Sequence, residues 1–179
     1  RILDLGTGTG CILISLLYEW PNAFGIGVDR ALGACAAARI NAQKADVVRR
    51  AAFLCADWGS ALSDSAAFFD LIVSNPPYIP SAEIRDLDDS VKNFDPILAL
   101  DGGADGFSAF RRVITVIKNH LTEDGAAFVE IGAGQARDSA RLVEEAGLNH
   151  ISQHADSSGI PRVVEMSRGD KCKIPLTVP

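Results

Sequence analysis

Short apolar runs alternate with stretches of helical period along this chain, the pattern of an α/β domain with a mostly parallel sheet. Ile2 to Leu5, Phe24 to Val28, Ala51 to Cys55, Phe69 to Ser74 and Ala126 to Ile131 predict five strands. Between them, Cys11 to Trp20 predicts a helix broken by Pro21-Asn22, and the Ala-rich stretch Ala31 to Lys44 predicts a second. Phe110, Val113, Ile114, Ile117 and Leu121 fall at i, i+3, i+4, i+7 spacing, an amphipathic helix. Gln135 to Ala146 predicts another, stopped by Gly147. His150 to His154 and Arg162 to Met166 predict a closing antiparallel pair around Ser157-Ser158-Gly159. Ile79 to Asp105 lacks a clear period, and a loop of that length is usually functional or mobile.

At 179 residues the chain has the size of one domain, with residues 1–168 as its body and residues 169–179 as a tail without period. It starts at Arg1, directly inside an apolar strand, and this predicts an absent upstream segment. A formal net charge of −6 gives no broad electrostatic grip on nucleic acid, so no direct nucleic-acid binding is expected. Cys11, Cys35, Cys55 and Cys172 form no C-x-x-C pair, which argues against a zinc site and for a reducing, cytoplasmic setting. No apolar run approaches the ~20 residues of a membrane span.

Candidate chemistry begins at the first strand-to-helix junction, Asp4-Leu5-Gly6-Thr7-Gly8-Thr9-Gly10. Glycines at alternate positions let the backbone approach a ligand, and the following helix aims its free N–H groups at the same place. Asp29, at the end of the second strand, can accept hydrogen bonds from ribose hydroxyls. A dinucleotide fingerprint needs a third glycine at position 11, which is Cys11, and the G-K-[ST] of a P-loop is absent. G-x-G-x-G with an acidic residue ending strand two resembles instead the S-adenosylmethionine loop of class I methyltransferases. Asp57-Trp58 follows the third strand. The carboxylate can take the exocyclic amine of adenine and the ring can line its face, although an Asp after a strand is also a common turn former.

Asn75-Pro76-Pro77-Tyr78 ends the fourth strand. It resembles the N-P-P-Y motif of methyltransferases that modify nitrogen conjugated with a π system. Such a nitrogen is a poor nucleophile, because its lone pair is delocalised. Acceptors aimed at its N–H bonds draw electron density onto it and fix its direction. The Asn75 side-chain oxygen and the Pro76 carbonyl are the candidate acceptors, and Tyr78 can pack on the flat face of the target. Catalysis is then mainly positioning and needs no strong base. The histidines, His120, His150 and His154, all lie far along the chain.

From Ile2 to about Ser167 the sequence resembles the glutamine-N5 methyltransferases that modify peptide chain release factors, the HemK/PrmC family. The likeness includes Asp4 to Gly10, Asp29, Asn41-Ala42, Asp57-Trp58, Ser74 to Tyr78 and Phe94-Asp95-Pro96. It continues through Ala99 to Gly103, Asp105-Gly106, Glu130-Ile131-Gly132, Gln135 and Pro161 to Val164. The resemblance implies a Rossmann-like class I fold, with a twisted, mostly parallel sheet, an antiparallel C-terminal strand and helices on both faces. It implies S-adenosyl-L-methionine as cofactor, held by Asp4, Gly6, Thr7, Gly8, Thr9, Gly10, Asp29, Asp57 and Trp58, with Asn75 bordering cofactor and acceptor. It also implies that Asn75, Pro76, Pro77 and Tyr78 receive the glutamine of a Gly-Gly-Gln tripeptide on a release factor, and that a helical N-terminal domain helps hold this partner. The tail after Arg168 departs from the family pattern, as does Asp95, where Glu is frequent. Two alternatives stay open: a nucleic-acid methyltransferase acting on adenine or guanine nitrogen, and a non-catalytic S-adenosylmethionine-binding module.

Overall fold

The computed structural model describes residues 1–63, 67–87 and 96–169. Seven strands form one sheet: β1 Ile2–Leu5, β2 Gly25–Asp29, β3 Ala51–Cys55, β4 Phe69–Ser74, β5 Leu121–Glu130, β6 Asn149–Ala155 and β7 Pro161–Ser167. Their order is β3-β2-β1-β4-β5-β7-β6. The first five pair in parallel, and β7 runs antiparallel to both β5 and β6. The expected α/β architecture with an antiparallel C-terminal strand is therefore present.

Alternation along the central strands fills two cores. Leu3, Leu5 and Ile72 point to one face, against Val113, Ile117 and Val143 of helices α4 (Ser108–His120) and α5 (Ala136–Glu145). Ile2, Leu71 and Val73 point to the other, against Leu13, Leu17 and Ala42 of helices α1 (Cys11–Glu19) and α2 (Leu32–Lys44). The Ala-rich composition of α2 has a packing reason: Ala38 and Ala42 are fully buried where the helix lies close on the sheet.

Most boundaries lie within a residue of the sequence pattern, and the start of β5 differs by more. The first helix ends at Glu19, and β2 starts at Gly25, with Phe24 just before it 60% exposed while its carbonyl accepts the Ile2 N–H at 2.8 Å. Leu121, expected on the helix, begins β5 instead. Its side chain is fully buried opposite Phe69, and the register then slips so that Leu71 faces Ala126. A strand bulge thus replaces a loop, and helical spacing alone cannot register that change. The long loop after β4 is also more structured than its composition predicts. Ile79 bridges Asp101, residues Ile84–Asp86 form a 3-10 turn, and Ile97–Leu100 form a short helix, α3. Phe94 and Asp95, part of the family resemblance, lie outside the described residues, as does the tail beyond residue 169.

Ile117 packs at the centre of the α4 face with no exposed surface. Ile117→Ala is expected to lower unfolding free energy by about 2–5 kcal/mol, measured by chemical denaturation. A loss below about 1 kcal/mol would contradict the placement of this core.

Candidate active site

Strand register assembles the site. Leu5 of β1 pairs with Val28 of β2 on one side and with Ser74 of β4 on the other. The next residues along these strands, Gly6, Asp29 and Asn75, therefore emerge side by side at one end of the sheet. This is the point where strand order reverses between β1 and β4, and open α/β sheets bind ligands at such a switch point. Asp29 pairs with Cys55 of β3, so Asp57 follows on the same rim.

The glycine turn is held from several directions. Gly6 and Thr7 donate backbone N–H bonds to the Val28 carbonyl at 2.8 and 3.0 Å. Gly8 N–H donates to the Asp29 carboxylate at 2.9 Å, and the other Asp29 oxygen accepts from Ala31 N–H at 2.8 Å. One carboxylate thereby ties the turn to the start of α2. Asn41, on α2, donates its side-chain N–H to the Thr9 carbonyl at 2.9 Å. Gly10 stands at the N-cap of α1 with φ +84°, a left-handed conformation that suits glycine. A side chain at Gly8 would meet nothing within 4 Å, so the turn has an open side.

Asp4 and Thr7 lie beneath the turn, only 1% and 7% exposed. Thr7 donates its hydroxyl to Asp4 at 2.7 Å, while the second Asp4 oxygen is buried with no hydrogen-bond partner among the described residues. Burial pushes the Asp4 carboxyl up to about 6, against the opposing pull of the Thr7 bond.

Trp58 has φ +52°, and its ring edge lies 3.8 Å from the position a Gly6 Cβ would take. The Asn75 carbonyl faces the same position at 3.8 Å. The turn, the Trp58 ring and the N-P-P-Y turn thus lie beside one another, and the φ of +71° at Gly6 is what favours glycine there. The Asp57 carboxylate is engaged by Arg112 of α4 at 2.6 Å, a half-exposed pair. Ser74 donates its hydroxyl to the Leu5 carbonyl at 2.7 Å and fastens the ends of β1 and β4 together. Beyond it Asn75 is exposed, Pro76 buried, and Pro77 and Tyr78 half-buried. The Tyr78 hydroxyl points to Glu130 of β5 at a long 3.4 Å. Burial and the Glu130 charge both raise its pKa.

All the residues expected at the site thus gather at the C-terminal rim of β1 to β4. Sequence reasoning gave no role to Asn41, Arg112 or Gln135, which brace this rim. A lone Asn on the Ala-rich α2 was the visible signal for the first. A surface hollow of about 340 Å3 adjoins this rim between Asp57, Trp58 and α4, and another of about 400 Å3 lies at the opposite ends of the strands by Phe24 and Phe69.

The residues present fit S-adenosylmethionine. The rim carries Asp29 and Asp57 above the buried Asp4, which suits a ligand bearing a sulfonium and an ammonium. No Lys or Arg stands in the glycine turn to bind a phosphate. Sheet order, glycine turn and acidic rim together are those of the Rossmann-like fold of class I, S-adenosylmethionine-binding methyltransferase domains.

The chain belongs to the methyltransferase domain family, whose model, described as "Methyltransferase domain", matches residues 1–129. It is 50% identical over 162 residues to a release factor glutamine methyltransferase of Rhodospirillum rubrum, covering 90% of this chain and 49% of that protein. It is 48% identical over 165 residues to a release factor glutamine methyltransferase of Bradyrhizobium diazoefficiens, covering 92% of this chain and 54% of that one. The chain thus spans about half the length of these curated relatives. Among solved structures, the hMettl16 catalytic domain in complex with MAT2A 3'UTR hairpin 6 superposes with TM-score 0.72 at 15% identity, covering 98% of this chain and 66% of that one. The ribosomal protein L11 methylase from Lactobacillus delbrueckii subsp. bulgaricus gives 0.67 at 17% identity, over 94% and 69%. At these identities the structural likeness shows the fold alone.

The raised pKa of Asp4 sets a pH dependence. The folded state keeps this proton up to about pH 6, whereas an unfolded chain releases it near the ordinary aspartate value of 3.8. The stability this group contributes is full below pH ~4 and is lost as pH rises through about 6, by up to roughly 3 kcal/mol. Asn at this position keeps an acceptor for Thr7 without a charge to desolvate. Relative to the parent, Asp4→Asn is therefore expected to gain stability between pH 4 and pH 8 in thermal unfolding. A stability difference that stays flat across that range would contradict the burial of a charged Asp4.

Proposed function

We propose that this domain transfers a methyl group from S-adenosylmethionine to the side-chain amide nitrogen of a glutamine, the one in the Gly-Gly-Gln tripeptide of peptide chain release factors. The observation that carries the reading is the juxtaposition of the Gly6 turn with the Asn75 carbonyl and the Trp58 ring. The names of the Rhodospirillum and Bradyrhizobium relatives support the choice of acceptor.

The cofactor supplies an electrophilic methyl on a sulfonium sulfur. The chain's own residues supply position. Asp29 takes the ribose hydroxyls with the lone pairs left free by Gly8 and Ala31, while Asp57 and Trp58 border the adenine. Asp4 and Thr7 support the turn from below. Asn75 and the Pro76 carbonyl accept the two amide N–H bonds of the acceptor. This pulls electron density onto a nitrogen whose lone pair is otherwise delocalised and points it along the line of transfer. Pro76 and Pro77 restrict the backbone that carries these acceptors. Tyr78, anchored toward Glu130, closes the side of the acceptor slot. The proton becomes acidic only after the methyl has moved, so it can leave to water. The free thiols Cys11, Cys35 and Cys55 fit a reducing, cytoplasmic setting. Among the described residues no helix is long and apolar enough to cross a membrane.

Incubation with methyl-labelled cofactor and a release factor is expected to place label on the Gly-Gly-Gln glutamine, located by mass spectrometry of the digest. Label on DNA or RNA alone would overturn the reading. Asn75→Ala is expected to lower kcat by on the order of 10²–10³, with folding intact by circular dichroism, and near-normal turnover would remove Asn75 from the mechanism. Asp29→Ala is expected to weaken cofactor binding by roughly ten- to a hundredfold in calorimetry. An unchanged dissociation constant would exclude the ribose role.

A further inference from the structure

Tyr78 is enclosed by backbone from two other segments. A Cβ added at Gly106 would lie 2.5 Å from the Tyr78 carbonyl oxygen and 2.7 Å from Gln135 Nε2. A Cβ added at Gly132 would lie 3.1 Å from both the Tyr78 ring and Gln135 Oε1. Gln135, at the N-cap of α5, fills the point where these segments converge. Its Nε2–H donates to the Tyr78 carbonyl at 2.9 Å, and its Oε1 accepts from Gly132 N–H at 2.8 Å. The two partners fix the amide orientation, because a backbone N–H can only donate and a backbone carbonyl can only accept. One side chain thus couples the end of β5 to the last residue of the N-P-P-Y turn.

We infer that Gln135 is a positioning residue for methyl transfer: its N–H bond to the Tyr78 carbonyl holds the N-P-P-Y turn at the register the acceptor nitrogen needs. It touches neither cofactor nor acceptor and acts only through this turn. The inference rests on the proposed transfer to a glutamine amide. Displacing such a turn by a fraction of a bond length costs rate, since alignment is the main catalytic contribution.

Gln135→Glu provides the test. The substitution keeps size and the acceptor for Gly132. Once ionised, it loses the donor and sets a carboxylate against a carbonyl. At pH 8 kcat on a release factor is expected to fall by roughly 10- to 100-fold, with the cofactor dissociation constant unchanged within about threefold. Gln135→Ala, with neither group, is expected to be slow as well, again with the cofactor dissociation constant unchanged within about threefold. A Glu or Ala variant with parent-like kcat while folded by circular dichroism, or a loss that appears wholly as weaker cofactor binding, would overturn the inference alone. Absence of transfer to glutamine by the parent would overturn the reading beneath it.

Discussion

The pairing of β1 with β4 is the constraint on which the site depends. Both strands are buried on both faces, and each must present its apolar residues to the correct core. A slip of one residue would turn Leu3 and Leu5 onto the wrong face. It would also move Gly6 by about 3.3 Å relative to Asn75, separating the two turns that the proposed function assigns to cofactor and acceptor. The hydroxyl bond from Ser74 to the Leu5 carbonyl adds a polar fastening at the last paired position. Core packing and catalytic geometry are therefore set by the same register.

Around that junction the chain accepts local cost in return for an open, acidic rim. Asp4 holds a carboxylate out of water with one oxygen unpartnered among the described residues, Trp58 takes a left-handed backbone, and three glycines lie in the first turn. Strain and orphaned polar groups of this kind concentrate where a ligand must be approached closely. The restraints are distributed over distant segments: Asp29 and Asn41 hold the turn from α2, while Arg112 of α4 engages Asp57. The N-P-P-Y turn is braced in the same way from β5 and α5.

Much of this was legible in the sequence, and for identifiable reasons. Strands buried on both faces read as continuous apolar runs, so β1 and β4 stood out. Gly6, Asp29 and Asn75 stood out because each follows or ends a strand, and Gly8 and Gly10 because they continue the alternate-glycine pattern into α1. The start of β5 was not legible. Leu121 continues the helical spacing of Ile114 and Ile117, and only its pairing with Phe69 shows that the helix has ended. The fold of the loop after β4 was hidden as well, because its bonds join residues far apart in sequence, such as Ile79 with Leu100 and Ser81 with Asp101. Gln135 belonged to the family resemblance but without a role, and Arg112 carried no signal, since both roles exist only once α4 and α5 are packed beside the rim.

The most direct test is a crystal structure with S-adenosylhomocysteine and a Gly-Gly-Gln peptide bound together. The account predicts the cofactor sulfur beside the Gly6 turn. It also predicts the glutamine amide nitrogen between that sulfur and residue 75, within hydrogen-bonding distance of the Asn75 side chain and the Pro76 carbonyl. A sulfur directed away from Asn75, with no room for a planar amide between them, would contradict it.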